Sequence, residues 1–374
     1  MVKTPPFHGD NMGSNPVGVI KNPYTTVCGF FVFYLIKTLA LHKLSLGCDK
    51  MCTAVFTKTQ FGSYFGRNLD FEHSFGEKIC ITPRNHGFNF TCGLCVSQNY
   101  AIIGMALLSC DYPLYFDATN EYGLSIAGLN FPLCSHYNPN IEGKLNIASY
   151  ELIPYILSQY KTVDELKEFI YNINITNASF NDKFPPTPLH WLIADKEKSV
   201  TLEQTKNGLK VYDNPCGVLT NSPEFNIQLF NLNNYIGISP NEPENTFSKK
   251  LDLKTYSKGM GALGLPGDYS SVSRFVRAAF VNLNISHSDD EYGRINEFFH
   301  ILNSVYQHRG CIKTHAGFEH TRYSSCCDLN SGIYYYTAYN NSNINGVDMY
   351  KENLDSSKLI IHDLKYKMNI NIQN

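Results

Sequence analysis

The chain has 374 residues, of which 43% are hydrophobic, 13% aromatic and 17% charged, with a formal net charge of −2. That much apolar material can bury a large core and excludes a disordered chain. The near-neutral balance makes neither nucleic acid nor an anionic membrane surface an expected partner.

Residues 1–28 carry Pro, Gly and Asn without periodicity and read as loop or disorder. The run GFFVFYLI from Gly29 to Ile36 is too short to cross a bilayer, which takes about 20 residues. Its length suits the apolar core of a secretion signal, but the segment before it is long and only weakly basic. SLGC, ending at Cys48, loosely matches a lipoprotein cleavage box, with Ser45 where Leu is expected. Upstream sequence that is not a working signal is the favoured alternative.

From Cys52 the pattern changes to short strands separated by turns. TAVFTKT, a turn at Gln60 to Ser63 and YFGRNLD predict a hairpin. ICITPR and AIIGMAL predict strands, and NEYG at Asn120 to Gly123 predicts a turn before the strand LSIAGLNF. ASYELIPYILSQY has helical spacing, and Thr162 with Glu165 predicts a capping box for a second helix. HWLIADK, SVTLEQT, LKVYD and GVLTN predict strands. Helices are expected over Glu224 to Tyr235, Ser271 to Leu283 and Asp289 to Tyr306, and strands return from Tyr323. Short turns between consecutive strands predict largely antiparallel sheets. Strands, paired helices, strands, helices, strands is the order of one large α+β domain.

The chain holds 12 Cys, far more sequence per cysteine than a small disulfide scaffold has. Cys92 and Cys95 form a lone C-x-x-C with no second pair, so a metal site is not expected and most thiols read as small buried hydrophobes, Cys326 and Cys327 among them. His190, in the apolar stretch LHWLI, reads as a core or edge histidine, and His73, His86 and His136 have no functional support.

The stretch MCTAVFTKTQFGSYFGRNLDFEHSF, beginning at Met51, resembles the N-terminus of the choloylglycine hydrolases, which include bile salt hydrolases and penicillin V acylases. The resemblance continues in ITPRN, NEYGLSIAGLNFP, PLHWLIAD, EQTKNGLKVYDNPCGVLTNSP, GLPGDYSSVSRFVR and GIYYYTAYNN, and covers residues 51–374. It implies a four-layer αββα sandwich of the N-terminal nucleophile hydrolases as one domain over 52–374, with residues 1–51 an extension that is removed or follows a misplaced start. The implied reaction is hydrolysis of the amide of glycine- or taurine-conjugated bile salts. The alternatives are penicillin V or another N-acyl amide, or an inactive precursor or binding protein if Cys52 keeps residues before it. No cofactor or metal is implied. The expected partner is a small amphipathic amide, without nucleic acid or membrane insertion, acted on by a cytoplasmic homotetramer.

The chemistry has a physical rationale. An amide needs a strong nucleophile, a base and a site for the oxyanion. An unperturbed thiol has a pKa of about 8.5 and an α-amine about 7.7 to 8.0, so one N-terminal cysteine can supply nucleophile and base together. The resemblance assigns Cys52 as nucleophile and Arg67 as the cation favouring thiolate. It assigns Asp70 to orient the α-amine, Asn130 to hold the oxyanion, Asn221 to fix nucleophile and substrate carbonyl, and Arg274 to complete the network. Taken singly, each reads as ordinary: a buried thiol, a surface ion pair beside a turn, two turn asparagines, a helix-surface charge. Their joint fall inside the matching blocks is what distinguishes them.

Overall fold

The computed structural model describes residues 51–374. The upstream run Gly29 to Ile36 and the Cys48 box lie outside the described residues.

The N-terminal hairpin forms as expected: β1 (Cys52–Lys58) and β2 (Ser63–Phe71) pair antiparallel along their whole length. There follow β3 (Lys78–Thr82), the short pair β4 (Phe88–Asn89) and β5 (Cys95–Val96), and the meander β6 (Ile102–Ser109), β7 (Tyr112–Asn120) and β8 (Ser125–Asn130). The turn before β8 needs Gly123 at φ 90°, a left-handed conformation that glycine adopts without strain. β9 (Leu145–Ala148) leads into α1 (Leu152–Gln159) and α2 (Val163–Phe169), and β10 (Ile173–Thr176) pairs parallel with β9. Thr162 caps α2 by accepting from the Glu165 N–H at 3.2 Å. The Glu165 carboxylate reaches back one residue further than a capping box requires, to the Lys161 N–H at 2.7 Å.

β11 (Leu189–Ala194), β12 (Ser199–Thr205), β13 (Gly208–Asp213) and β14 (Val218–Leu219) precede α3 (Phe225–Asn231), which continues as a 3₁₀ turn to Tyr235. The two later helices are α4 (Ser271–Asn284), capped by Ser270, and α5 (Glu291–Asn303), capped by Asp290. The chain closes with β15 (Ile312–Lys313), β16 (Phe318–Asp328), β17 (Ile333–Ala338), β18 (Asn341–Asp348) and β19 (Ile360–Asp363). β16 starts at Phe318, five positions before the strand expected from Tyr323, and the extra residues matter for the site.

Two antiparallel sheets result. One has the order β14-β1-β2-β16-β17-β18, with β15 on β16; the other runs β13-β12-β11-β8-β7-β6-β3-β19. α4 and α5 pack on the first sheet, and α1 packs on β6, β7 and β8 of the second. Period-two alternation divides the core. Ile79, Ile81, Ile103, Ala127 and Leu129 belong with the first sheet and α4/α5, whereas Cys80, Ile102, Ile126 and Trp191 pack with α1 and α2. The layers are α4/α5, sheet, sheet and α1/α2, the four-layer α+β sandwich expected.

The ten described cysteines are free. Cys326 and Cys327 are buried as expected, but Cys92, Cys95, Cys110 and Cys311 are exposed, because they sit in turns and short edge pairs rather than on core faces. Among the described residues no His/Cys/Asp/Glu group could hold a metal, and no helix is long and apolar enough to cross a membrane.

Candidate active site

Cys52 opens β1, which lies between β14 and β2 in the first sheet, and is 4% exposed. β2 runs beside it and carries Arg67 and Asp70, both fully buried. Gly66 precedes Arg67 because β2 and β16 approach too closely for a side chain: a Cβ there would stand 1.9 Å from the Ser325 carbonyl oxygen. The Arg67 guanidinium crosses from the first sheet to the second, where Nη1 donates to the carbonyls of Phe116 at 2.9 Å and Gly128 at 2.6 Å. Asp117 on β7 answers in the other direction. Its carboxylate accepts from the hydroxyls of Tyr323 and Tyr334, each at 2.6 Å, and from Ser325 Oγ at 3.0 Å. Two buried ionisable groups thus tie the sheets together beside Cys52.

On the other flank, Asn221 and Arg274 hold the Cys52 backbone. The Cys52 N–H donates to Asn221 Oδ1 at 2.9 Å. Arg274, from α4, donates to the Cys52 carbonyl at 2.6 Å, to Thr53 Oγ1 at 2.7 Å and to Asn221 Oδ1 at 2.8 Å. Two donors converge on that Asn221 atom, which fixes it as the amide oxygen. The amide nitrogen then donates to the Asn130 carbonyl at 2.8 Å. Asn130 ends β8, 5% exposed.

Cys52, Arg67, Asp70 and Asn130 line one cavity of about 440 Å³, whose remaining wall is mostly apolar and includes Leu107, Phe116, Ile153, Phe180 and Phe184. Asn221 and Arg274 are not in that lining and grip the Cys52 backbone from behind. All six expected residues therefore meet around Cys52.

The electrostatics depart from the expectation in one respect. Burial raises the Cys52 thiol pKa; Arg67 pulls it down as foreseen, but less strongly, and Asp70 and Glu319 add to the rise. With Met51 attached, the site favours thiol over thiolate. Asp70 is pushed up to about 6 by burial, against Arg274, the Thr321 hydroxyl and Arg67. Burial also lowers the Arg274 pKa, with Asp70 and Cys52 opposing it.

Sequence reasoning missed several members. Glu319 is fully buried on β16 and accepts the Met51 N–H at 2.7 Å. Thr321, two residues on, donates to Asp70 Oδ1 at 2.6 Å. A β-bulge between Thr321 and Tyr323 sets this alignment, as bulges beside active sites often do. Polar residues at alternate positions of FEHTRY carry the signal, had the strand been started at Phe318. His190 is the core histidine expected, with a further part to play: it stacks on Phe131, centroids 4.1 Å apart, and its ring nitrogens meet Glu203 Oε1 at 3.0 Å and the Thr220 carbonyl at 2.9 Å. It thereby braces the residues next to both Asn130 and Asn221.

Two antiparallel sheets face to face between helices, with a cysteine opening the first strand, form the architecture of the N-terminal nucleophile hydrolases. The model for linear amide C–N hydrolases, choloylglycine hydrolase family, matches residues 52–362, and the chain belongs to that family: it is an amide hydrolase. It is similar to a bile salt hydrolase/transferase of Lactiplantibacillus plantarum, 50% identical over 316 residues, covering 84% of this chain and 97% of that one. A Clostridium perfringens protein of the same description is 40% identical over 326 residues, covering 86% and 99%. Among solved structures, a variant of the conjugated bile acid hydrolase from Clostridium perfringens superposes with a TM-score of 0.80 at 40% identity, over 86% of this chain and all of that one. Penicillin V acylase from Agrobacterium tumefaciens shares the fold, with a TM-score of 0.67 at 21% identity over 83% and 91%.

Proposed function

We propose that the enzyme hydrolyses the amide of glycine- or taurine-conjugated bile salts, releasing free bile acid and amino acid. The observation that carries this is the cavity: one polar wall holding the thiol, and an apolar, aromatic remainder suited to a steroid body. The relatives at 50% and 40% identity, matched over nearly their full length, support the same substrate.

The mechanism we propose begins with a free α-amine on Cys52. The amine takes the thiol proton while sulfur attacks the amide carbon, and the carbonyl π-electrons move onto oxygen. Asn130 donates to that oxyanion, and Arg274 and Asn221 keep the nucleophile in register. Collapse breaks the C–N bond, and the ammonium returns its proton to the departing glycine or taurine nitrogen. Water then attacks the thioester carbon and gives one proton to the amine; the C–S bond breaks, the bile acid leaves, and the ammonium returns that proton to sulfur. Asp70 orients the amine throughout.

This chemistry requires residues 1–51 to be absent from the active polypeptide, which we propose is a single domain over 52–374. In support, the Cys52 nitrogen with Met51 attached is an amide, whose hydrogen is already donated to Asn221. We carry a cytoplasmic homotetramer from the family resemblance alone.

The test compares kcat/KM for conjugated bile salts and penicillin V on one preparation whose N-terminus has been read as Cys52. A clear preference for bile salts supports the proposal, and a clear preference for penicillin V overturns it.

A further inference from the structure

Glu319 has no part in the mechanism above, yet it is the carboxylate against which the residue before Cys52 is seated. It is 0% exposed, Oε1 accepts the Met51 N–H at 2.7 Å, and Oε2 is buried without a hydrogen-bond partner. Asp70 shows the same pattern: Oδ1 is taken by Thr321 and Oδ2 is buried and unpartnered. A buried polar atom left without a partner costs about 1–3 kcal/mol, so two beside Cys52 call for a partner that the Met51-bearing chain lacks. Loss of Met51 supplies one. It removes the N–H on Glu319 and turns the Cys52 amide, with one hydrogen, into an ammonium with three. Asn221 Oδ1 already lies 2.9 Å from that nitrogen and can keep one of them.

We propose that Glu319 is the counter-charge of the mature N-terminus, a positioning residue that holds the Cys52 α-amino group where it can exchange a proton with the thiol. The proposal rests on the reading of Cys52 as an N-terminal nucleophile. The groups facing Glu319 are Asp70 on β2, Glu72 just beyond it, Arg274 from α4, and Met51 and Cys52 at the head of β1. With Met51 in place, burial and Asp70 push the Glu319 carboxyl up to about 9, so it stays protonated there. An ammonium at the same spot favours the carboxylate, and the carboxylate in turn favours the ammonium.

The test is the pH dependence of Glu319→Gln, on protein shown by mass to begin at Cys52. Two titrations are read: kcat/KM for a conjugated bile salt, and the rate of Cys52 alkylation by iodoacetamide, which needs no substrate. Removing a nearby negative charge lowers the pKa of both amine and thiol. Both acid-side midpoints should therefore move to lower pH by about one unit, the low end of the effect of a charge within about 4–6 Å. KM should hold, because Glu319 does not line the cavity. Midpoints superimposable on wild type, in a variant with wild-type circular dichroism, overturn the proposal. If Glu319→Gln does not fold, Glu319→Asp carries the test: it withdraws the charge by one methylene, a smaller shift in the same direction supports the proposal, and identical midpoints overturn it. Persistent hydrolysis by Cys52→Ala would instead sink the nucleophile assignment itself, so the two failures are distinguishable.

Discussion

On the β2–β16 side of Cys52, three buried charged groups each keep one atom without a hydrogen-bond partner among the described residues: Arg67 Nη2, Asp70 Oδ2 and Glu319 Oε2. Across Cys52 the Asn221 loop is closely bonded. Its backbone N–H reaches Ser271 Oγ, its carbonyl accepts from Gln228, and both ends of its amide are in use. Behind it, His190 has partners on both ring nitrogens, and Glu203 Oε2 is the open atom of that pair. On the mechanism we propose, the difference follows the work each side has to do. One side must take up a new ammonium and let a proton move, so the two carboxyl oxygens of Asp70 and Glu319 are left waiting. The other must hold oxyanion donors at fixed distances, which needs a shell with little freedom.

The largest effect expected on this division falls at its centre. Cys52→Ala should lower hydrolysis of conjugated bile salts by about 10⁴-fold or more, as removal of a covalent nucleophile does, with unchanged circular dichroism. Residual activity near wild type would remove the reason for the open side altogether.

The closed side should respond in stability. His190→Ala leaves Glu203 Oε1 and the Thr220 carbonyl buried without their ring partner, and a buried acceptor that loses its donor costs about 1–3 kcal/mol. Chemical denaturation measures it, and a loss below about 1 kcal/mol would show that the shell is slack. Asn130→Ala should cost about 10²–10³ in kcat, the usual worth of one oxyanion donor, with little change in KM. An effect confined to KM would assign Asn130 to substrate binding instead.

Much of this was legible in the sequence where local rules decide the outcome. The β1–β2 hairpin, the turn at Gly123, the Thr162 cap and helices α4 and α5 follow from turn chemistry, capping and periodicity. The six site residues came from the family blocks and meet at one point, but composition alone would have passed over every one of them. Glu319 and Asp117 stayed hidden for a physical reason. Each is a buried polar group whose partners arrive from distant strands: Asp117 is met by Tyr323 and Tyr334, and Glu319 by Met51. No local pattern announces such a pairing. The thiol's resistance to ionisation was hidden too, since the sequence shows Arg67 nearby but not how deeply Cys52 is buried.

A last effect should appear in the pH dependence of stability, and it sharpens the comparison because Asp70 and Glu319 both lie on the open side. In the chain that keeps Met51, burial holds Asp70 up to about 6 and Glu319 up to about 9, whereas unfolded carboxyls titrate near 4. The folded state therefore keeps protons that the unfolded state releases, and stability must fall as pH rises through that window. The full chain should show a melting temperature that declines from about pH 5 to about pH 9. In the chain beginning at Cys52 the ammonium favours both carboxylates, their pKa values drop, and the decline should shrink. It should return only above about pH 8, where an α-amine gives up its charge. Thermal melts of the two forms, buffered at matched ionic strength, read the difference directly. Parallel curves would mean that the open oxygens of Asp70 and Glu319 gain nothing from the freed amine, and that the two sides of Cys52 differ in structure but not in charge.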